Sequence, residues 1–535
     1  MLKRAIIILA LVAVVALPFI LRPSRPSPGN ADDTLVLVSP HNEAIRHEFT
    51  VGFRNWYHER TGRTVFLDWR NVGGTSEIAR YLEGEYVASF RVIWTRSGKP
   101  WSADVQSGFQ SSRQRPDATP ESKEARAEFL SSQATCGIDL FFGGGPYDFE
   151  KQAAAGRLVD PGIRTLHPDW FTDADFPVKF SGSTYRDPRD LWYGSVLSSY
   201  GILYNKDALA RIGIHAPPVE WSDLTDPRYV GEVGLCDPTK SGSIAQAFLN
   251  VIQQQIHRRV DPLGGRGGAA EAAAVRQGWT DAMRLLQLVG ANARYFTDTS
   301  QKPPIDVAAG DCAAGMCIDF YGREQQEAVR RRNPGDDRIG YSSPEDGASY
   351  SVDPIALLRG APHRAVAVAF MEYVLSLDGQ KIWNFRTGTP GGPESFALRR
   401  LPVRRDFYEH TEWLGLRSDP DVDPYAMKHM LVINDAWTGT LFTQMSFIIR
   451  VMTEDTHEDL VRAWKAVIAA PEPARTRALA VLQDVSIVDY DQAQGRITRQ
   501  LSSKNLVDAV LLARDLGGVF RANYQRAERI ARGRE

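Results

Sequence analysis

From Thr34 onward, short uninterrupted apolar runs alternate with amphipathic stretches, and this order constrains the fold more than any other feature. Leu35, Val36, Leu37 and Val38 leave no polar side for solvent, as expected of a strand covered on both faces. Ile45, Phe49, Phe53 and Trp56 then recur at helical spacing, and Gly62 stands where a helix-terminating glycine belongs. Residues 64–69 and 138–142 supply two further strands. Strand, helix, strand in this order predicts a parallel sheet with helices on its faces. A second α/β unit begins near Ser199, with strands at residues 201–205, 233–236 and 315–318. Residues 355–358 return as a strand, and a helix follows with Val366, Phe370, Val374 and Leu377 on one face. The stretch 406–535 reads as mostly helical, with segments near 456–469 and 501–531. Residues 96–124 are dominated by Ser, Lys, Arg, Asp, Gln and Pro, which predicts a surface insertion without a core of its own.

The N-terminus fixes the expected destination. Lys3 and Arg4 precede 17 apolar residues, Ala5 to Leu21, the pattern of a secretory signal. As a helix this run would span about 26 Å, slightly short of a hydrocarbon core, and Pro18 interrupts it. Either a cleaved signal or a retained membrane anchor fits, followed by a Pro- and Ser-rich tether to residue 33. Both place the bulk of the chain outside the cytoplasm, in the periplasm. The 63 basic and 65 acidic side chains give a net charge of −2, so no nucleic-acid partner is expected. Cys136, Cys236, Cys312 and Cys317 allow three pairings or four buried thiols, and spacing does not choose between them. Asp419, Asp421 and Asp423 read as a turn of solvated acids rather than a calcium loop.

Several segments, in order, resemble the solute-binding component of ABC importers, and are similar to the ferric-ion-binding group within it. They are Val36 to Glu43, Gly201 to Asp207, Trp221 to Leu224, Asp226 to Gly231, Asp237 to Ser243, Leu358 to Pro362 and Leu401 to Arg404. The resemblance covers residues 34–405 apart from the insertion. It implies a two-lobed type II periplasmic-binding fold with a crossed two-strand hinge and an added helical C-terminal extension. Residues 34–198 would form lobe 1, residues 199–348 lobe 2, residues 349–405 the return to lobe 1 and residues 406–535 the extension. The crossings are expected near residues 195–199 and 349–354. A permease in the inner membrane is the implied partner, and the protein is expected to act as a monomer.

In open α/β sheets ligands sit beyond the carboxyl ends of the strands. The loops there contribute His41 and Asn42, then Gly74, Thr75 and Ser76, then Gly144, Gly145 and Tyr147 from lobe 1. Lobe 2 contributes Ser241, Gly242, Ser243, Asp319 and Tyr321, with Ser199 at the crossing. The Gly74 to Ser76 and Ser241 to Ser243 segments open helices, so they can receive an anion or simply cap those helices. Ferric-ion binders of this group use a His in the first loop and a Tyr pair at the equivalent of Phe320 and Tyr321. The resemblance therefore makes His41 and Tyr321 metal ligands if Fe(III) is the cargo. Phe320 lacks the first phenol, and glycines occupy the place of an acidic ligand near Gly144. Iron, an oxyanion, a phosphorylated or phosphonated solute and another organic ligand all remain open. A hydrolase or lyase on the same scaffold is the rival, with His41 as the obvious base. No Walker A, HExxH or GxSxG motif occurs.

Overall fold

The computed structural model describes residues 28–111, 117–265, 267–503 and 505–535, so the apolar N-terminal segment lies outside the described residues. Among the described residues no helix is long and apolar enough to cross a membrane. Two sheets organise the chain. The first runs in the order Leu401–Pro402, Tyr193–Ser198, Ser351–Leu358, Leu140–Phe142, Asp33–Val38, Val65–Arg70, with Leu158–Val159 beside Ser351–Leu358. The second runs Ala293–Thr297, Val233–Cys236, Ala314–Ile318, Tyr200–Asn205, Ile339–Ser342.

The expected parallel pairing holds where strand, helix and strand follow one another. Asp33–Val38 runs parallel to both Val65–Arg70 and Leu140–Phe142. The sheets as wholes are mixed, because the segments that cross between them run against their neighbours: Ser351–Leu358 is antiparallel to Leu140–Phe142 and to Tyr193–Ser198. The first helix, Glu43–Thr61, begins where Asn42 Oδ1 accepts from the Ile45 N–H and ends at Gly62 in the left-handed region. It buries Ile45, Phe49, Phe53 and Trp56, the residues whose spacing predicts it.

Two crossings join the sheets. Tyr193–Ser198 belongs to the first sheet and Tyr200–Asn205 to the second, with Ser199 between them. The chain returns through Ser349, and Ser199 Oγ donates to the Ser349 carbonyl at 3.2 Å.

The stretch 96–124 is not the coreless loop its composition predicts. Helices Ala103–Gln110 and Pro120–Ser131 form there, capped by Ser102 and Thr119. Val105, Phe109 and Phe129 are fully buried, and Phe109 lies 4.9 Å from the ring of Phe90. Few apolar residues suffice because the two short helices cover a face already made apolar by Phe90 and Trp94. They need no independent core.

The C-terminal stretch divides. Residues 406–430 lie against the first sheet, with Tyr425 donating to the Val403 carbonyl. Asp419 is only 7% exposed and pairs with Arg399 at 2.5 Å, so it is not a solvated turn acid. Residues 433 and 434 then pass between the lobes: Ile433 donates its N–H to Ser181, while Asn434 exchanges hydrogen bonds with Gln253. Beyond them, the helices join the core of the second lobe. Trp279 Nε1 donates to the Val488 carbonyl and Trp464 Nε1 to Asn292 Oδ1, at 3.0 and 2.9 Å. The four cysteines are buried free thiols, and burial pushes Cys136 up to about 11 and Cys236 up to about 12.

If the insertion is part of the lobe 1 core, Phe109→Ala lowers stability by about 3–5 kcal/mol in urea titration. An unchanged midpoint would show that those helices carry none of it.

Candidate functional site

A cleft of about 640 Å³ lies between the lobes. Its walls include His41, Asn42, Gly74, Thr75, Gly144, Ser241, Ser243 and Tyr321. The other proposed ligand residues point elsewhere. Ser199 holds the hinge, as above. Asp319 is 2% exposed and accepts from Arg323 Nη2 and the Phe320 N–H, which makes it a helix-start anchor. Gly145 caps the helix Pro146–Ala155 and does not line the cleft. Ser76, Tyr147 and Gly242 line a separate cavity on the far side of the two facing helix starts. Successive residues in a helix's first turn diverge by about 100°, so Thr75 and Ser76, or Gly242 and Ser243, cannot all face one space.

The cleft floor is built on a group that the loop analysis missed. Arg400, 1% exposed, donates from Nη1 to Asp353 Oδ2 at 2.6 Å and from Nη2 to Ser198 Oγ. Its Nε has no hydrogen-bond partner. The guanidinium lies 4.4 Å from the ring centre of Phe320 and 5.2 Å from that of Trp383. The Arg400 backbone is fixed by its N–H to the Trp383 carbonyl and by Asn384 Nδ2 to its own carbonyl. The other side of Asp353 Oδ2 meets His41 Nε2 at 3.3 Å. Burial raises the Asp353 carboxyl, but the Arg400 charge and the two hydrogen bonds outweigh it and hold the group below its ordinary value.

His41 is 6% exposed and sits edge-on to Phe142, at 4.6 Å between ring centres. Burial drives its pKa down, against the pull of Asp353, so the neutral imidazole is favoured. The glycine run fits around it. A Cβ on Gly143, whose φ is 95°, would lie 2.4 Å from His41 Nε2. A Cβ on Gly144, φ 108°, would lie 2.5 Å from Thr75. Both turns need a positive φ and no side chain, so an acidic ligand has no room there.

Three further features set the charge of the cleft. The helix Thr75–Arg96 starts without a side-chain cap, leaving first-turn N–H groups free at the wall. Arg46 lines the same wall and has no acid partner among the described residues. Lys240 is neutralised by Asp298 at 2.6 Å. Tyr321 rests 4.1 Å from Phe320, and burial pushes its phenol up.

Residues 139–403 match the family model described as bacterial extracellular solute-binding protein. The phosphoglycerate transport regulatory protein PgtC of Salmonella typhimurium is 25% identical over 198 residues, 36% of this chain and 42% of PgtC. Iron uptake protein A2 of Synechocystis is 25% identical over 246 residues, 44% of this chain and 60% of that protein. The chain thus spans about half the length of these curated relatives. Among solved structures, the periplasmic binding protein AfuA from Actinobacillus pleuropneumoniae, with fructose-6-phosphate bound, superposes with a TM-score of 0.48. It is 16% identical, covering 81% of this chain and 98% of AfuA.

Two outcomes check the site's construction. Gly143→Ala costs about 1–3 kcal/mol, because it adds backbone strain and drives a methyl into His41. The unfolded chain protonates His41 more readily than the folded one, so His41 adds stability above pH 6.5 that is lost as pH falls below it. Urea titrations between pH 7.5 and 5.5 give a shallower pH slope for His41→Gln than for the native chain.

Proposed function

We propose that this chain is the exported, solute-capturing component of an ABC-type importer. Its cleft takes a small organic anion bearing a phosphate or phosphonate group. The observation that carries this reading is the pair of guanidiniums at the cleft: among the described residues Arg46 has no acid partner, and the Nε of Arg400, the partner of Asp353, has no hydrogen-bond partner. A phosphoryl oxygen at the wall meets a charge-assisted donor in Arg46. Arg46 and the uncapped start of Thr75–Arg96 add positive potential from the wall. PgtC, by its name a phosphoglycerate transport regulatory protein, is consistent with this class.

The iron reading is disfavoured by the same geometry, although one relative is named for iron uptake. Fe(III) wants anionic oxygen donors. Gly144 excludes a carboxylate, Phe320 supplies no phenol, and burial disfavours a Tyr321 phenolate. Among the described residues no group of three or more His, Cys, Asp or Glu could hold a metal ion.

Each lobe supplies part of the wall, so bound solute favours the closed arrangement by its greater affinity for it. An inner-membrane permease then receives the loaded, closed form. Calorimetry with glucose 6-phosphate, 3-phosphoglycerate, 2-aminoethylphosphonate, inorganic phosphate and ferric citrate tests the reading. An organic phosphate or phosphonate binds, and Arg400→Ala weakens it by about 100-fold, or about 3 kcal/mol. Ferric citrate binding that survives Arg400→Ala, with no phosphate binding, would overturn it.

A further inference from the structure

The close approach of Gly74 to the Lys240 carbonyl, where a Cβ would lie 2.8 Å away, separates the cleft from a second cavity. That cavity encloses about 690 Å³. On the lobe 1 side it is lined by the helix Pro146–Ala155, on the other by Pro238 to Lys240, Gly242 and the helix Phe442–Ile449. The last of these lies outside the span that matches the solute-binding family. Tyr147 closes one edge: its hydroxyl is 2.7 Å from Thr443 Oγ1 and its ring 4.6 Å from Phe442.

Inside this space stands Asp148. It is 6% exposed, and its carboxyl has no hydrogen-bond partner among the described residues. A Cβ on Gly242, in the opposite wall, would lie 3.6 Å from Asp148 Oδ2, so the carboxyl is directed across the cavity. Burial pushes Asp148 up to about 6 although Lys151 and Arg80 pull it down. A buried, unpaired carboxyl is a large local cost, which a donor arriving from outside removes. Lys151 lies three residues on, on the same helical face. Its ammonium sits 4.5 Å from the centre of the Tyr147 ring and has no acid partner among the described residues. An acceptor waiting for a donor and a cation waiting for an acid stand side by side.

We propose that this cavity is a second ligand site. It takes a small acid with a hydrogen-bond donor on the neighbouring carbon, the donor meeting Asp148 and the acid group meeting Lys151. α-Amino and α-hydroxy acids share that chemistry. The site is independent of Arg400, which lies in the other cavity.

Calorimetry on the full chain with the common L-amino acids and, separately, with glycerate, lactate and malate distinguishes the two sources. Members of one set bind, and Asp148→Asn and Lys151→Met each weaken them about tenfold or more. Lys151 is exposed, so its variant keeps the test open if Asp148→Asn folds poorly. No binding from either set at millimolar concentration overturns the proposal. So does binding that ignores both variants.

Discussion

The ion pair between Arg400 and Asp353 is the interaction on which the cleft depends. Asp353 belongs to the returning crossing strand and Ser198 to the outgoing one, while Phe320, stacked on the guanidinium, comes from the second lobe. One side chain therefore ties both crossings and both lobes together at the base of the gap. Truncating Arg400 leaves Asp353 buried without its cation, and uncompensated buried charge is among the costlier defects a fold can carry. His41 would lose its orientation with it, since Asp353 Oδ2 is its hydrogen-bond partner. The floor is thus held in one arrangement by contacts within the chain itself.

Much of this architecture could be read from residue order. The strand–helix–strand beginning and the loops around His41, Thr75 and Ser243 follow from apolar periodicity and from where glycines fall, whereas the crossings are implied by the resemblance to solute-binding proteins. The electrostatic floor did not follow. Arg400 and Asp353 are distant in sequence and belong to no motif, and they meet only because the return strand and the 401–402 strand flank the same neighbour. A charged residue wedged against an apolar strand, as Asp353 and Arg400 both are, was the available clue. The error over Ser76, Tyr147 and Gly242 has a different cause: loop membership says which end of the sheet a residue reaches, not which side of a helix start it takes.

Composition also misled at the insertion. Sparse apolar residues predict no independent core, and that much is correct. They do not predict exclusion from a core supplied by others, as Phe109 and Phe129 against Phe90 demonstrate. In the C-terminal stretch, which reads as mostly helical, Trp464 and Tyr524 reach Asn292, Gln287 and Met452, partners that helical periodicity does not name.

The passage at residues 433 and 434 gives the molecule a third connection. Two ribbons allow a pair of jaws both to swing and to swivel. A further ribbon, pinned to Ser181 on one side and to Gln253 on the other, resists the swivel and leaves the swing. With the terminal helices fused to the second lobe, that lobe is the heavy frame, and the first lobe hangs from it as a lighter leaf.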